Sequence, residues 1–116
     1  MKYVFLFCGT PEDQREYDSL KSDEFKQRMA EVGQWFGKYH DKMRGGHQLQ
    51  GPDTATTVRF GSNGGPIVKD GLFLEGKEIV GGYAEVEVEN LDEALAMAKS
   101  WPGRGTVEIR PITNTM

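Results

Sequence analysis

The sequence has few of the features that mark exported, membrane or nucleic-acid-binding proteins. It has a single cysteine, Cys8, which excludes an internal disulfide. No apolar run approaches the roughly 20 residues of a membrane-spanning helix, and the short apolar start lacks the longer core of a signal peptide. Basic residues number 14 against 18 acidic ones, whereas contact with nucleic acid needs a basic face. We expect a cytoplasmic protein that binds neither membrane nor nucleic acid directly.

Glycine is the one residue type in excess. The chain has 15 glycines and 5 prolines in 116 residues, and the glycines lack the three-residue period of collagen. The length predicts a single domain over residues 1–116, with a core that needs no disulfide or metal. Seven of the glycines fall between residues 61 and 82, where we expect the backbone to turn or to approach a neighbour closely.

Apolar periodicity predicts the first elements. Tyr3–Cys8 is apolar on both faces and predicts a strand covered on both sides. The polar segment 9–21 is predicted to be a loop. A helix is predicted from an N-cap at Ser22 to a stop at Gly45–Gly46, with Gly33 and Gly37 allowing it to pack closely on a sheet. Its apolar stripe has spacings of 4, 3, 4, 3 and 4 and consists of Phe25, Met29, Val32, Phe36, Tyr39 and Met43.

The second half predicts a hairpin, a strand, a helix and a last strand. Segments 54–60 and 66–69 flank a glycine-rich turn and form the hairpin. Residues 79–89 alternate as a strand, and Asn90 caps a helix that ends at Pro102–Gly103. The order of elements predicts an α+β fold of the ferredoxin-like, split β-α-β type. Its sheet would be antiparallel, with both helices on one face.

The other face of that sheet would remain open. If Ala84, Val86 and Val88 face the helices, Tyr83, Glu85 and Glu87 point to the open side. Residues on other strands are expected to join them: Thr57 and Arg59, or their neighbours, and Thr106, Glu108 and Arg110. Two copies packed face to face would bury the apolar part and enclose a polar-lined cavity, so we predict a homodimer. The alternative is a solvated face with cross-strand ion pairs.

Several ordered motifs resemble one known family. They are residues 54–59, the segment 68–78 around Asp70–Gly71, then Gly81-Gly82-Tyr83, 90–94 and 107–111. In these the chain resembles the DGPF branch of the YCII-related proteins, which are often bacterial. The resemblance implies a ferredoxin-like fold that dimerises into an α+β barrel. Leu72 stands where the motif has proline, which removes a fixed φ.

The resemblance does not imply a settled reaction. The other YCII branch has a proposed catalytic His–Asp pair, but the corresponding regions here, near Phe25 and Trp101, hold neither residue. Some family members carry a transcription-initiation label or accompany sigma factors. A regulatory, protein-interaction role is therefore one of three hypotheses for this chain.

The other two hypotheses are a small enzyme and a ligand-binding module. Asp70, Glu75 and Lys77, assisted by Tyr83, are the candidate acid–base residues, since carboxylates around a lysine can differ in pKa. The alternative interpretation is that the same residues shape a turn and form ion pairs. Candidate contacts to a small polar or anionic ligand are Arg59, Glu78, Gly81, Gly82 and Arg110. The spacing of His, Cys and acidic residues predicts no metal site, and no cofactor motif is present.

Overall fold

The computed structural model describes residues 1–61, 64–71 and 78–113. Three α-helices, six strands and two short 3-10 helices, His40–Lys42 and Pro52–Thr54, make up the regular structure of this part of the chain. In chain order the α-helices and strands are β1 (Lys2–Gly9), α1 (Pro11–Asp18), α2 (Ser22–Lys38), β2 (Met43–Gln48), β3 (Thr56–Arg59), β4 (Ile67–Asp70), β5 (Ile79–Glu87), α3 (Leu91–Lys99) and β6 (Thr106–Pro111). None of the helices in these ranges is long and apolar enough to cross a membrane.

Four strands form the main sheet in the order β2-β5-β1-β6, and each neighbouring pair is antiparallel. The core lies on one face of this sheet, where Tyr3, Phe5 and Val86 pack with Trp35 of α2 and Met97 of α3. The predicted α+β, ferredoxin-like arrangement with helices on one face is therefore confirmed.

The alternation predicted for β5 is also confirmed. Ala84 and Val86 are buried on the helix side, with exposed fractions of 2% and 0%, whereas Tyr83 on the other side is 38% exposed. At the start of α3, the Glu93 amide donates to Asn90 Oδ1 over 3.0 Å, as expected for an N-cap. The Glu93 carboxylate contacts Lys42 Nζ at 3.1 Å, and this contact lowers the pKa of the Glu93 carboxyl and raises that of the Lys42 ammonium.

The segment predicted to be a loop contains helix α1, so that prediction is wrong. A reciprocal capping box starts the helix: the Asp13 amide donates to Thr10 Oγ1 over 3.1 Å, and the Thr10 amide donates to Asp13 Oδ2 over 2.9 Å. The latter bond is the main reason that the pKa of Asp13 lies below its usual value. The helix has no buried residue, and therefore no apolar periodicity marks it in the sequence.

The predicted ends of α2 also differ from the structure. Lys21 is the N-cap residue and Ser22 is the first helical residue, and the helix ends at Lys38 rather than at Gly45–Gly46. These two glycines lie in β2, with φ values of +140° and +146°. A Cβ on Gly46 would collide with the carbonyl oxygen of Tyr83 and lie 2.7 Å from Ala84 Cα. The close approach of β5 to β2, not a helix stop, requires glycine there.

Strands β3 and β4 form the predicted hairpin, but they do not join the main sheet. They pair with each other in a separate two-stranded sheet, which we call the arm. At its base, the Gly71 amide donates to the Ala55 carbonyl over 2.5 Å, and Thr57 Oγ1 donates to the Gly71 carbonyl over 2.7 Å. The prediction that Thr57 and Arg59 lie on the open face of the main sheet is therefore wrong.

Candidate functional site

The open face of the main sheet has an apolar centre along β1. Val4, Leu6 and Cys8 alternate with the core residues of that strand, and each is half-buried. Because strand neighbours lie about 4.8 Å apart, residues on β5 and β6 flank this centre at a distance that a small molecule can bridge.

Polar side chains lie on both sides of the apolar centre. Val4 pairs with Glu85 of β5 and Arg110 of β6, and Leu6 pairs with Tyr83 and Glu108. Each flanking pair is separated by two strand spacings, about 9 to 10 Å across the sheet. The geometry therefore provides a carboxylate opposite a guanidinium, and a phenol opposite a carboxylate.

The alternative of cross-strand ion pairs is realised at one place on this face. Arg44 Nε lies 3.1 Å from Glu87 Oε1, near the edge of the sheet. Within the described residues, Glu85, Glu108 and Arg110 take part in no ion pair. These three charged groups therefore remain available to a ligand.

His47 adds a group that the sequence did not place. It pairs with Tyr83 across β2 and β5, and the two ring centroids are 6.1 Å apart in an edge-to-face arrangement. In the sequence the two residues are 36 positions apart, so no local spacing signals their contact. Together they extend the open face to its β2 edge.

Cys8 and Glu78 lie at one end of the open face. Thr106 Oγ1 donates to Glu78 Oε1 over 2.7 Å, which fixes the carboxylate beside β6. Burial raises the pKa of the Cys8 thiol, with smaller contributions from the negative charges of Glu78 and Glu108. A thiol held in its neutral form is a poor nucleophile, and this agrees with a packing role for Cys8.

Gly81 and Gly82 lie where the register of β1 and β5 shifts. Phe7 pairs with Gly82, whereas Cys8 pairs with Val80, so Gly81 is the extra residue of a bulge. A Cβ on Gly82 would lie only 3.1 Å from the His47 carbonyl oxygen. Both glycines therefore have a backbone role, and their predicted contact with a ligand stays a prediction.

The predicted acid–base cluster is not assembled in the described part of the chain. Asp70 ends β4 in the arm and pairs with Thr56, whereas Tyr83 lies in the main sheet. Glu75 and Lys77, as well as Leu72 of the motif, lie outside the described residues. Arg59 and Arg110, both predicted to contact a ligand, also lie in different sheets, because Arg59 belongs to the arm and Arg110 to β6. The roles of these residues stay predictions.

A concavity lies on the helix side of the sheet, and the sequence did not predict it. It has a volume of about 1220 Å³ and is bounded by α1, α2, β2 and β5. Gly33 and Gly37 do not provide close packing on the sheet, since a Cβ at either position meets no atom within 4 Å. The available signal was the pair of sheet glycines Gly46 and Gly82, which leave the floor without side chains. We call this space the helix-side cavity.

The described residues include no group of three or more histidine, cysteine, aspartate or glutamate side chains arranged to hold a metal ion.

Comparisons with known proteins show the family of this chain. The YCII-related domain matches residues 1–115 of the chain. The chain belongs to the YCII-related family. An uncharacterised protein of Rhizobium meliloti (strain 1021) is 38% identical over 65 residues, which are 53% of this chain and 52% of the relative. The match thus spans about half the length of that relative.

A solved structure supports the fold of this YCII-related chain. It is the 5-chloro-2-hydroxyhydroquinone dehydrochlorinase of Burkholderia phenoliruptrix AC1100, in complex with 2,5-dihydroxybenzoquinone. The alignment covers 97% of this chain and 94% of the dehydrochlorinase, with a TM-score of 0.53 and 14% sequence identity. At this identity the two chains share an architecture, and the comparison transfers no chemistry.

Proposed function

We propose that this YCII-related protein binds a small, flat, anionic or polar ligand on the open face, in a cavity enclosed by a homodimer. The observation that carries the proposal is the half-buried apolar centre of β1, flanked by charged groups that lack ion-pair partners in the described structure. A ring can lie on Val4 and Leu6 while its polar substituents reach Glu85, Tyr83 and Arg110. Guanidinium is suited to bind an oxyanion in two-point contact.

The homodimer part of the proposal follows from the same face. Val4, Leu6 and Cys8 retain only partial cover in one chain, and apolar surface of this kind is covered when two sheets pack face to face. The cavity would then be lined twice by the same polar groups. We further propose that the chain belongs to the DGPF branch and is cytoplasmic. The location is inferred because disulfides are typical of exported proteins, and a lone cysteine forms no internal disulfide.

The ligand class can be tested with one compound. The dehydrochlorinase was solved in complex with 2,5-dihydroxybenzoquinone. This planar acid belongs to the proposed ligand class, so it is a suitable calorimetric probe. We expect saturable binding that weakens at least tenfold in Arg110→Gln, since a hydrogen bond to a charged group contributes about 1.5–3 kcal/mol. Arg15→Gln, on the exposed side of α1, is the matched control and should bind like the parent. No saturable binding, or equal losses in both variants, would refute the ligand class.

The dimer is tested by light scattering. The parent protein should have twice the 13.0 kDa mass of one chain, and Leu6→Lys should shift it toward the single-chain mass by placing a charge at the apolar centre. A parent mass of one chain at micromolar concentration would contradict the proposal.

An acid–base enzyme is the second candidate, and one observation favours it. His47 lies against Tyr83 beside the apolar centre, and histidine and tyrosine are both common proton-transfer groups. This pair, rather than Asp70 with residues of the arm, is where we would place catalysis. Turnover of a bound hydroxyquinone that is lost in His47→Gln, with binding retained, would establish the enzyme.

A further inference from the structure

One face of the arm carries three exposed apolar side chains beyond Thr56 and Asp70 at its base, and we call it the apolar face. Val58 pairs with Val68, so both side chains lie on the same side of the ribbon, and Phe60 follows two residues after Val58. These three side chains are 48%, 63% and 80% exposed, respectively. The other face carries Thr57, Lys69 and Arg59 together with Ile67, which is 54% exposed. Exposed apolar side chains grouped in this way favour contact with another apolar surface.

The described residues, 1–61, 64–71 and 78–113, do not provide that surface. Strands β3 and β4 pack mainly against each other, and the radius of gyration is 16.5 Å, compared with about 13 Å for a compact chain of this length. An isolated two-stranded ribbon is marginally stable in water. The apolar side chains of the arm are therefore left uncovered by the part of the chain that the structure describes.

The helix-side cavity also has apolar side chains that lack cover. Its wall on α2 includes Met29 and Phe36, each 38% exposed, and Phe25 at the end of the same stripe is 43% exposed. The cavity volume of about 1220 Å³ exceeds the 300–1,000 Å³ of ordinary ligand pockets. A space of this size and apolar character suits several large side chains at once.

We propose that the arm of one protomer packs its apolar face into the helix-side cavity of its partner, so that each cavity is completed by a second copy of the chain. Phe60 is the main inserted side chain, with Val58 and Val68 beside it. Reciprocal insertion is the closed, two-fold arrangement expected of a homodimer. The proposal rests on the homodimer of the proposed function, but not on its ligand.

Engineered disulfides test the exchange. In a Cys8→Ser background, one chain carries Phe60→Cys and a differently tagged chain carries Met29→Cys, and the two are mixed, allowed to exchange and oxidised. We expect a covalent heterodimer in at least fivefold higher yield than in a control mixture of Phe60→Cys with Lys99→Cys, which places the second thiol at the exposed end of α3.

A dissociation measurement covers the case in which the cysteine variants fold poorly. Sedimentation should show that Phe60→Ser weakens the dimer at least tenfold, whereas Leu95→Ser, at an exposed apolar position of α3, leaves it unchanged. Equal dissociation in the two variants would overturn the proposal.

The remaining outcomes separate the two proposals. A crosslink within one chain that carries both cysteines, without any crosslink between chains, would show that the arm closes its own cavity and would overturn the exchange. A dimeric mass without crosslinking or weakening refutes the exchange alone. Crosslinking without binding of 2,5-dihydroxybenzoquinone refutes the ligand class alone.

Discussion

Trp35 holds α2 on the sheet, and its replacement tests that attachment. It is the buried residue of α2, 4% exposed, and its Nε1 donates to the Met97 carbonyl over 3.0 Å and to Ser100 Oγ over 3.1 Å. Its ring packs edge-on against Phe7 and Trp101. Trp35→Phe retains an aromatic ring and removes the donor.

The expected loss of stability has two parts. A neutral hydrogen bond contributes about 1 kcal/mol net, and the void left by the smaller ring costs about 1–2 kcal/mol, within the 3–5 kcal/mol of complete truncation to alanine. We therefore expect Trp35→Phe to lower the free energy of unfolding by about 2–3 kcal/mol. For a chain of this size, each kcal/mol corresponds to roughly 3–6 °C in Tm.

Urea unfolding followed by far-ultraviolet circular dichroism, at one fixed protein concentration, measures this loss. Tyr39→Phe is the control, since its hydroxyl lies 3.2 Å from Ser100 Oγ in an exposed hydrogen bond, and it should cost less than about 0.5 kcal/mol. In a double-mutant cycle, Trp35→Phe and Ser100→Ala should couple by about 0.5 kcal/mol or more. A Trp35→Phe loss no larger than the control, with additive effects, would show that α2 is held by other contacts.

Two further predictions concern backbone geometry and pH. Gly46→Ala should destabilise by about 2–4 kcal/mol, because its φ is +146° and a Cβ would lie 2.7 Å from Ala84 Cα. Gly33→Ala, inside α2 where an added Cβ meets no atom within 4 Å, should instead stabilise by about 0.5–1 kcal/mol. A change of Tm in the same direction for both variants would contradict this reasoning. Asp13 and Glu93 have lowered pKa values in the folded chain. Their contribution should be present above the ordinary values of 3.8 and 4.5, and be lost as the pH falls through the folded values. Urea midpoints from pH 7 to pH 2 should therefore fall less steeply in Glu93→Gln, and an unchanged profile would refute the assignment.

The strands of the main sheet could be predicted because buried and exposed residues alternate along them. Tyr83 to Val88 alternate between solvent and core, and the sequence shows this alternation directly. Helix α1 buries nothing, so only its local signals, Thr10 before Pro11 and Asp13 three residues later, were available. Those signals describe a capping box, and they are a better guide at that segment than hydrophobicity.

Glycine was the least informative residue in the sequence. Gly45 and Gly46 are compatible with a helix stop and with a strand that lies against a neighbouring backbone, and the choice depends on long-range contact with β5. The candidate site was predicted only in part, because some of its contacts also depend on long-range strand pairing. Alternation along single strands placed Tyr83, Glu85 and Arg110 on one face, whereas the pairing of His47 with Tyr83 depends on strand order.

The bulge at Gly81 has a consequence for how this chain tolerates insertions and deletions. In β5 the residues that face the core and those on the open face occupy alternate positions, so a one-residue insertion would exchange the two sets. The bulge is the place where β5 already accommodates one extra residue opposite Phe7 and Cys8. A length change of one residue should thus be absorbed beside Gly81 and rejected between Tyr83 and Glu87. Substitutions at positions 83, 85 and 87, by contrast, can vary the open face while the core on the opposite side stays the same.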